Sequence, residues 1–125
     1  MKAIFSMAER FGLFLANGDE ANAFRFTEVE PALASGCEVI FDFARVSNIT
    51  SSFGNALVAS LMAHHPLEFA QRVRFINCDP AVRQIISAAI TLGRREALEY
   101  AHSSYPKYLL TRLEASKQQT QPRRS

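Results

Sequence analysis

Val39-Ile40-Phe41-Asp42-Phe43 sets apolar side chains on both faces of an extended segment. A strand of that kind belongs at the centre of a sheet covered on both sides, as parallel strands in α/β domains are. The residues after it narrow the choice further. Beyond the loop Ala44–Ile49, three hydroxyl residues, Thr50, Ser51 and Ser52, stand directly ahead of a helical pattern. The start of a helix has unpaired N–H groups and a partial positive charge. Small hydroxyls at that point suit either a capping residue or a phosphate-bearing residue.

The rest of the chain alternates in the same manner. Lys2–Met7 and Phe11–Leu15 are apolar runs joined by Ala8-Glu9-Arg10, and they read as a hairpin. Asn17 with Glu20 loosely fits a capping box and opens a helix whose buried face is Ala23, Phe26, Val29 and Leu33. Pro31 threatens that helix, and Gly36 ends it. A second helix spans about Ser52 to His64, with Phe53, Leu57 and Leu61 on one stripe, and His64-His65-Pro66 closes it. Val73–Asn77 is the next strand. Asp79-Pro80 opens a helix as N-cap and first residue, with Val82, Ile85, Ile86 and Ile90 facing inward. Gly93 interrupts it, Ser103-Ser104-Tyr105-Pro106 breaks it, and Lys107–Ser116 forms a last amphipathic helix. The expected fold is a single α/β domain over residues 1–115, a small mixed sheet of four strands packed with helices, plus a C-terminal helix. Residues 116–125 read as a polar, disordered tail. Phe41, Phe43, Leu57, Leu61, Phe75, Ile76, Ile85 and Ile86 are the expected core.

Bulk properties exclude several functions. A chain of 125 residues makes one domain with a real core. Its net charge is +2, and Lys117, Arg123 and Arg124 lie in the tail, so the body is nearly neutral. That field is too weak to point to nucleic acid. No apolar run reaches the roughly 18 residues of a membrane span. The N-terminus does not read as a secretory signal, so a cytoplasmic protein is expected. Cys37 and Cys78 fall at opposite ends of parallel strands, more than about 10 Å apart, and read as reduced, buried thiols rather than a disulfide. No metal or cofactor is expected. His64 and His65 point about 100° apart on a helix and chelate one ion poorly. His102 is isolated. TSSFG is not the G-x-S-x-G of a hydrolase elbow, and the 5 glycines form no phosphate-cradling loop.

The chain from Phe11 to about Ile90 resembles the bacterial STAS-like domains, relatives of the anti-sigma factor antagonists. The residues that carry the likeness are Phe11-Gly12-Leu13-Phe14-Leu15; Val29-Glu30-Pro31-x-Leu33-x-x-Gly36; Val39-Ile40-Phe41-Asp42-Phe43-x-x-Val46-x-x-Ile49; Ser51-Ser52-Phe53 with Ala56-Leu57; and Val73-x-Phe75-x-Asn77 before Val82-x-x-x-Ile86. The resemblance implies a small sheet with helices against it and no catalysis. In the antagonists a partner kinase phosphorylates a serine at the start of the helix after the central strand, which weakens docking. The antagonist motif is Asp-Ser-Ser-Gly; here Thr50 stands in the Asp place and Phe53 in the Gly place. Without a gap, the modified serine maps to Ser52, with Ser51 beside it.

The expected surface for a protein partner, such as a histidine-kinase-like ATPase, is the Ser47–Ser52 loop and the helix after it. It comprises Asp42, Asn48, Thr50, Ser51, Ser52 and Phe53. Several of these have a plainer alternative. Ser52 is either a phosphorylation site or the helix N-cap. Asp42 either lines the surface or pins the loop by accepting backbone N–H bonds. Phe53 is either core or an exposed anchor. Three functions remain open: a regulatory binding domain, an inhibitor or accessory protein of a mobile element on the same scaffold, and a hydrolase using Ser51 or Ser52. Oligomeric state is not legible.

Overall fold

Three parallel strands organise the protein, and their register is set by phenylalanine. In the computed structural model, which describes the backbone of residues 1–116 and the side chains of residues 1–99, β1 is Lys2–Ser6, β2 Phe14–Leu15, β3 Glu38–Asp42, β4 Asn48–Ile49 and β5 Val73–Ile76. The main sheet has the order β1-β3-β5, with Phe5, Phe41 and Phe75 in one row across it. β2 and β4 form a separate two-stranded sheet. Every pairing among the described strands is parallel.

The expected hairpin does not form. Ser6 caps a helical turn, α1 (Met7–Phe11), by accepting the Glu9 N–H at 3.3 Å. Met7 is fully buried, so the chain turns inward where a hairpin would have kept it in plane. β2 then leaves β1 and pairs with β4 instead.

Helix α2 covers residues 18–34: an α-helical start at Gly18–Phe24, a π turn at Arg25–Val29 and an α-helical end at Glu30–Ala34. The π turn explains two things. It inserts one extra residue, so Ala21 and Phe24 share a buried face with Val29 and Leu33, while Phe26, expected inside, is 70% exposed. It also precedes Pro31, whose missing N–H lets the wider turn resume an α-helix without losing a further bond. Cys37 N–H bonds to Ala32 O and Gly36 N–H to Leu33 O, the pattern that ends helices at a left-handed glycine.

Helix α3 covers residues 51–64, again with a π turn, Asn55–Ala59, between Ser51–Gly54 and Ser60–His64. The two π turns meet: Arg25 Nε–H donates to Ala56 O at 2.9 Å. Pro66 does more than close α3. It opens a short helix that the sequence pattern does not announce, α4 (Pro66–Arg72), which buries Phe69. Helix α5 runs from Pro80 to Ser116 as one helix, without the breaks expected at Gly93 and at 103–106. At Gly93 a Cβ would lie 2.5 Å from Ala59 O and 2.7 Å from Met62 Cβ. The glycine is there for close helix packing against α3, and it does not stop the helix. The tail past Ser116 and the side chain of His102 lie outside the described residues.

Phe41, Phe43, Leu57, Leu61 and Ile86 are buried as expected. Phe75 and Ile85 are half-buried against the core. Ile76 is 41% exposed, because it ends β5 on the face of the sheet away from the helices. That face is a second departure from the sequence pattern, which implies that both faces are covered. The order β1-β3-β5 steps in one direction only, and right-handed crossovers that never reverse put all their helices on one side.

Leu61→Ala removes a side chain with no exposure and is expected to cost about 2–5 kcal/mol in chemical denaturation. Gly93→Ala should cost about 1–3 kcal/mol by overpacking. A gain in stability at Gly93, as for an exposed helical glycine, would show that α3 and α5 do not pack this closely.

Candidate functional site

Two short parallel strands, each running straight into a capped helix, build the site. β2 and β4 pair Phe14 with Asn48 and Leu15 with Ile49. Leu15 and Ile49 point into the core and fix the register. Ser47 N–H bonds to Leu13 O at 2.8 Å and Thr50 N–H to Leu15 O at 2.9 Å, extending the pairing at both ends. Asn17 comes just after β2 and caps α2, its Oδ1 accepting the N–H groups of Asp19 and Glu20 at 2.9 and 3.1 Å. Thr50 comes just after β4 and caps α3, its Oγ1 accepting the Phe53 N–H at 3.1 Å. The same hydroxyl donates to Ala16 O at 3.1 Å, tying the caps together. Because the strands are parallel, the two helix starts lie side by side. A Cβ at Gly18 would come within 3.2 Å of the Ser52 backbone O, a tight contact that glycine avoids where the starts approach.

This arrangement redistributes the roles read from sequence. Thr50, not Ser52, is the N-cap of α3. Ser51 and Ser52 occupy the first two helical positions, exposed, and no hydrogen bond engages either hydroxyl among the described residues. Phe53 is 1% exposed and meets the Phe11 ring edge-on at 5.1 Å. It belongs to the core and is not an exposed anchor, because the first turn of α3 aims it down between the helices. Asn48 is exposed, with its Oδ1 near the Ile49 N–H.

Asp42 joins a different group. At the end of β3 it accepts the Asn77 side-chain N–H and the Ala44 backbone N–H, each at 2.9 Å. The Asn77 bond, then the Ala44 bond, with a smaller contribution from the Arg45 charge, hold its carboxyl below the usual range against a weak opposing effect of burial. Asp42 therefore pins the loop to β5.

Sequence reasoning missed Leu13 and Phe14. Both are 56% exposed, and Phe14 stands opposite Asn48 on the small sheet. The available signal is the alternation of Phe14 with buried Leu15, which a hairpin would instead place at the edge of the main sheet. Asp19 and Glu20, exposed in the first turn of α2, add negative charge to the rim.

The histidines stand apart from the helix starts. His64 and His65 lie at the far end of α3, about 18 Å along its axis from Ser52. His65 Nε2 faces Glu30 Oε2 at 3.6 Å instead. Among the described residues no group of three or more ligating side chains could hold a metal ion. Cys37 and Cys78 are free thiols, and burial pushes the Cys78 thiol up, toward the unreactive protonated form. No described helix is long and apolar enough to cross a membrane.

A family model described as a STAS-like domain of unknown function (DUF4325) matches residues 10–83, more than half of the chain. The chain belongs to this STAS-like family. The matched segment of the STAS-like domain takes in β2, the loop, both helix starts and β5, and leaves out β1 and most of α5. No curated protein and no solved structure matches the chain.

Thr50→Ala should cost about 1 kcal/mol through the lost cap, while Ser52→Ala should leave stability within about 0.5 kcal/mol, both read by denaturation. Equal losses would return the cap to Ser52. The depressed Asp42 carboxyl contributes stability that is present above its unfolded value, about pH 4, and is lost as pH falls through its lower folded value. The stability gap between the parent and Asp42→Ala should therefore be full at about pH 6 and shrink below about pH 4.

Proposed function

We propose that this chain is a non-enzymatic regulatory binding domain. It docks a protein partner, such as a histidine-kinase-like ATPase, through Leu13, Phe14, Asn48 and the exposed start of α3. Phosphorylation of Ser52, with Ser51 as the neighbouring acceptor, switches that docking. The observation that carries this reading is the division of labour at the helix start. Thr50 does the capping, which leaves two adjacent exposed hydroxyls with no structural duty. Exposed apolar area for a partner is offered by Phe14, on the strand paired with the one that leads into α3, and by Leu13 before it. A phosphate there adds about −1.5 to −2 charges at a helix N-terminus that tolerates them, and so changes what can dock without unfolding the domain. Asp19 and Glu20 already make the rim negative, which enlarges the change felt by a partner.

No hydrogen bond joins either serine hydroxyl to a base among the described residues, which favours binding over hydrolysis. A serine-reactive phosphonate should accordingly leave Ser51 and Ser52 unmodified; stoichiometric labelling would favour the enzyme.

The decisive experiment is affinity capture from the native host with the parent, Ser52→Ala and Ser52→Asp as baits, with the co-purified chains quantified by mass spectrometry. A specific partner should be recovered equally with the parent and Ser52→Ala. It should be weakened at least tenfold, about 1.4 kcal/mol, with folded Ser52→Asp. A partner held equally by all three baits would rule out the switch.

A further inference from the structure

The face of the main sheet away from the helices is uncovered among the described residues. Its side chains form rows across the strands: Lys2 beside Glu38; Ile4, Ile40 and Arg74; Ser6, Asp42 and Ile76. Ile4 is 62% exposed and Ile76 41%, whereas Val39, Phe41 and Val73 on the opposite face are buried. Parallel sheets are almost always covered on both faces, so a bare apolar rib on one calls for a cover. The charges here are answered locally. Arg74 Nε lies 3.3 Å from Glu38 Oε2, and Asp42 is held by Asn77 and Ala44. The face therefore has no net field that would select a strongly charged partner.

Its size selects the shape of the cover. Three strands about 4.8 Å apart, two of 5 residues and one of 4, make a patch on the order of 14 by 16 Å. That suits one helix, about 10 Å across. It is far below the roughly 800 Å² per partner that a stable sheet-on-sheet dimer needs.

The chain also carries a helical segment whose described side chains are largely exposed. Gly93 is the last buried residue of α5 among the described side chains, and Arg94, Arg95, Glu96 and Leu98 are exposed, Leu98 at 64%. The backbone stays helical to Ser116, so residues 94–116 make about 35 Å of helix beyond that contact. In sequence, Leu98, Ala101, Tyr105 and Tyr108 recur at steps of three and four, with Leu109 and Leu113 next, an amphipathic period. α5 packs on α3, on the opposite side of the sheet from the bare face, so a second copy is better placed than the same chain to supply the cover.

We propose that residues 94–116 of one copy lie across the bare face of a second copy, and the reverse, in a closed two-fold dimer. Reciprocal exchange forms the helix-on-sheet contact twice, which brings the total toward the area of a stable interface. This surface is separate from the helix starts and does not depend on the docking reading there.

Sedimentation equilibrium of the full chain at about 100 µM should give twice its 14.0 kDa mass. Ile4→Lys and Leu109→Glu, from the two halves of the contact, should each raise the dimer dissociation constant at least tenfold. The circular dichroism spectrum of Ile4→Lys should be unchanged, since Ile4 is outside the core. A photoreactive phenylalanine analogue at position 4 should cross-link into residues 94–116, and only in the dimer band. The proposal is overturned by a monomer at about 100 µM, by a dimer that survives either substitution, or by a cross-link from position 4 into the same chain.

Discussion

A row of three phenylalanines holds this fold in register. Phe5, Phe41 and Phe75 stand side by side on β1, β3 and β5, with the Phe41 ring 6.1 Å from Phe5 and 5.5 Å from Phe75, both stacked. Phe24 from α2 meets Phe5 and Phe41 edge-on. Side chains on a strand alternate faces, so a slip of one residue in any strand would move its phenylalanine to the bare face. The helices are held to one side by the same row, because that is where the aromatic surface lies. Arg10 closes its edge, with its guanidinium over Phe5 and Phe24 and both of its arms on Glu28 at 2.6 Å.

The small β2–β4 sheet couples this core to the surface. Its inner residues, Leu15 and Ile49, are anchored in the core, and its outer residues, Phe14 and Asn48, are exposed. The small sheet that positions the two helix starts thus also presents Phe14 and Asn48 to the candidate docking surface. The π turns matter for the same reason. They rotate the faces of α2 and α3 so that both helices bury continuous stripes, and the Arg25–Ala56 bond locks the two turns together. A partner that moved the start of α3 would have to work against this bond and the Thr50–Ala16 bond.

Two kinds of exposed surface result, set by different parts of the topology. The helix-start surface exists because two parallel strands deliver two helices side by side. The bare sheet face exists because the main sheet never reverses direction. STAS-like membership covers the first of these, since the matched residues 10–83 include both helix starts, while β1 and the distal part of α5 lie outside it.

The sequence by itself determined the class of fold and most of the content of the core. The alternation of apolar strands with amphipathic helices, the two-faced strand at Val39–Phe43, the Asp79-Pro80 helix start and the hydroxyl run at Thr50–Ser52 are local patterns, and local patterns are written in neighbouring residues. The tertiary structure decided what depends on partners distant in sequence. β2 pairs across 34 residues with β4, although the adjacent apolar run favours a hairpin. Thr50 became the cap because Ala16 O and Phe53 N–H both reach it. Phe53 went inward because Phe11 waits there. Gly93 became a packing contact because Ala59 lies against it, and Ile76 became exposed because strand order placed no helix over it. Hydrophobic period fixes which element forms and which face is apolar; only the packed neighbours decide whether that face is covered.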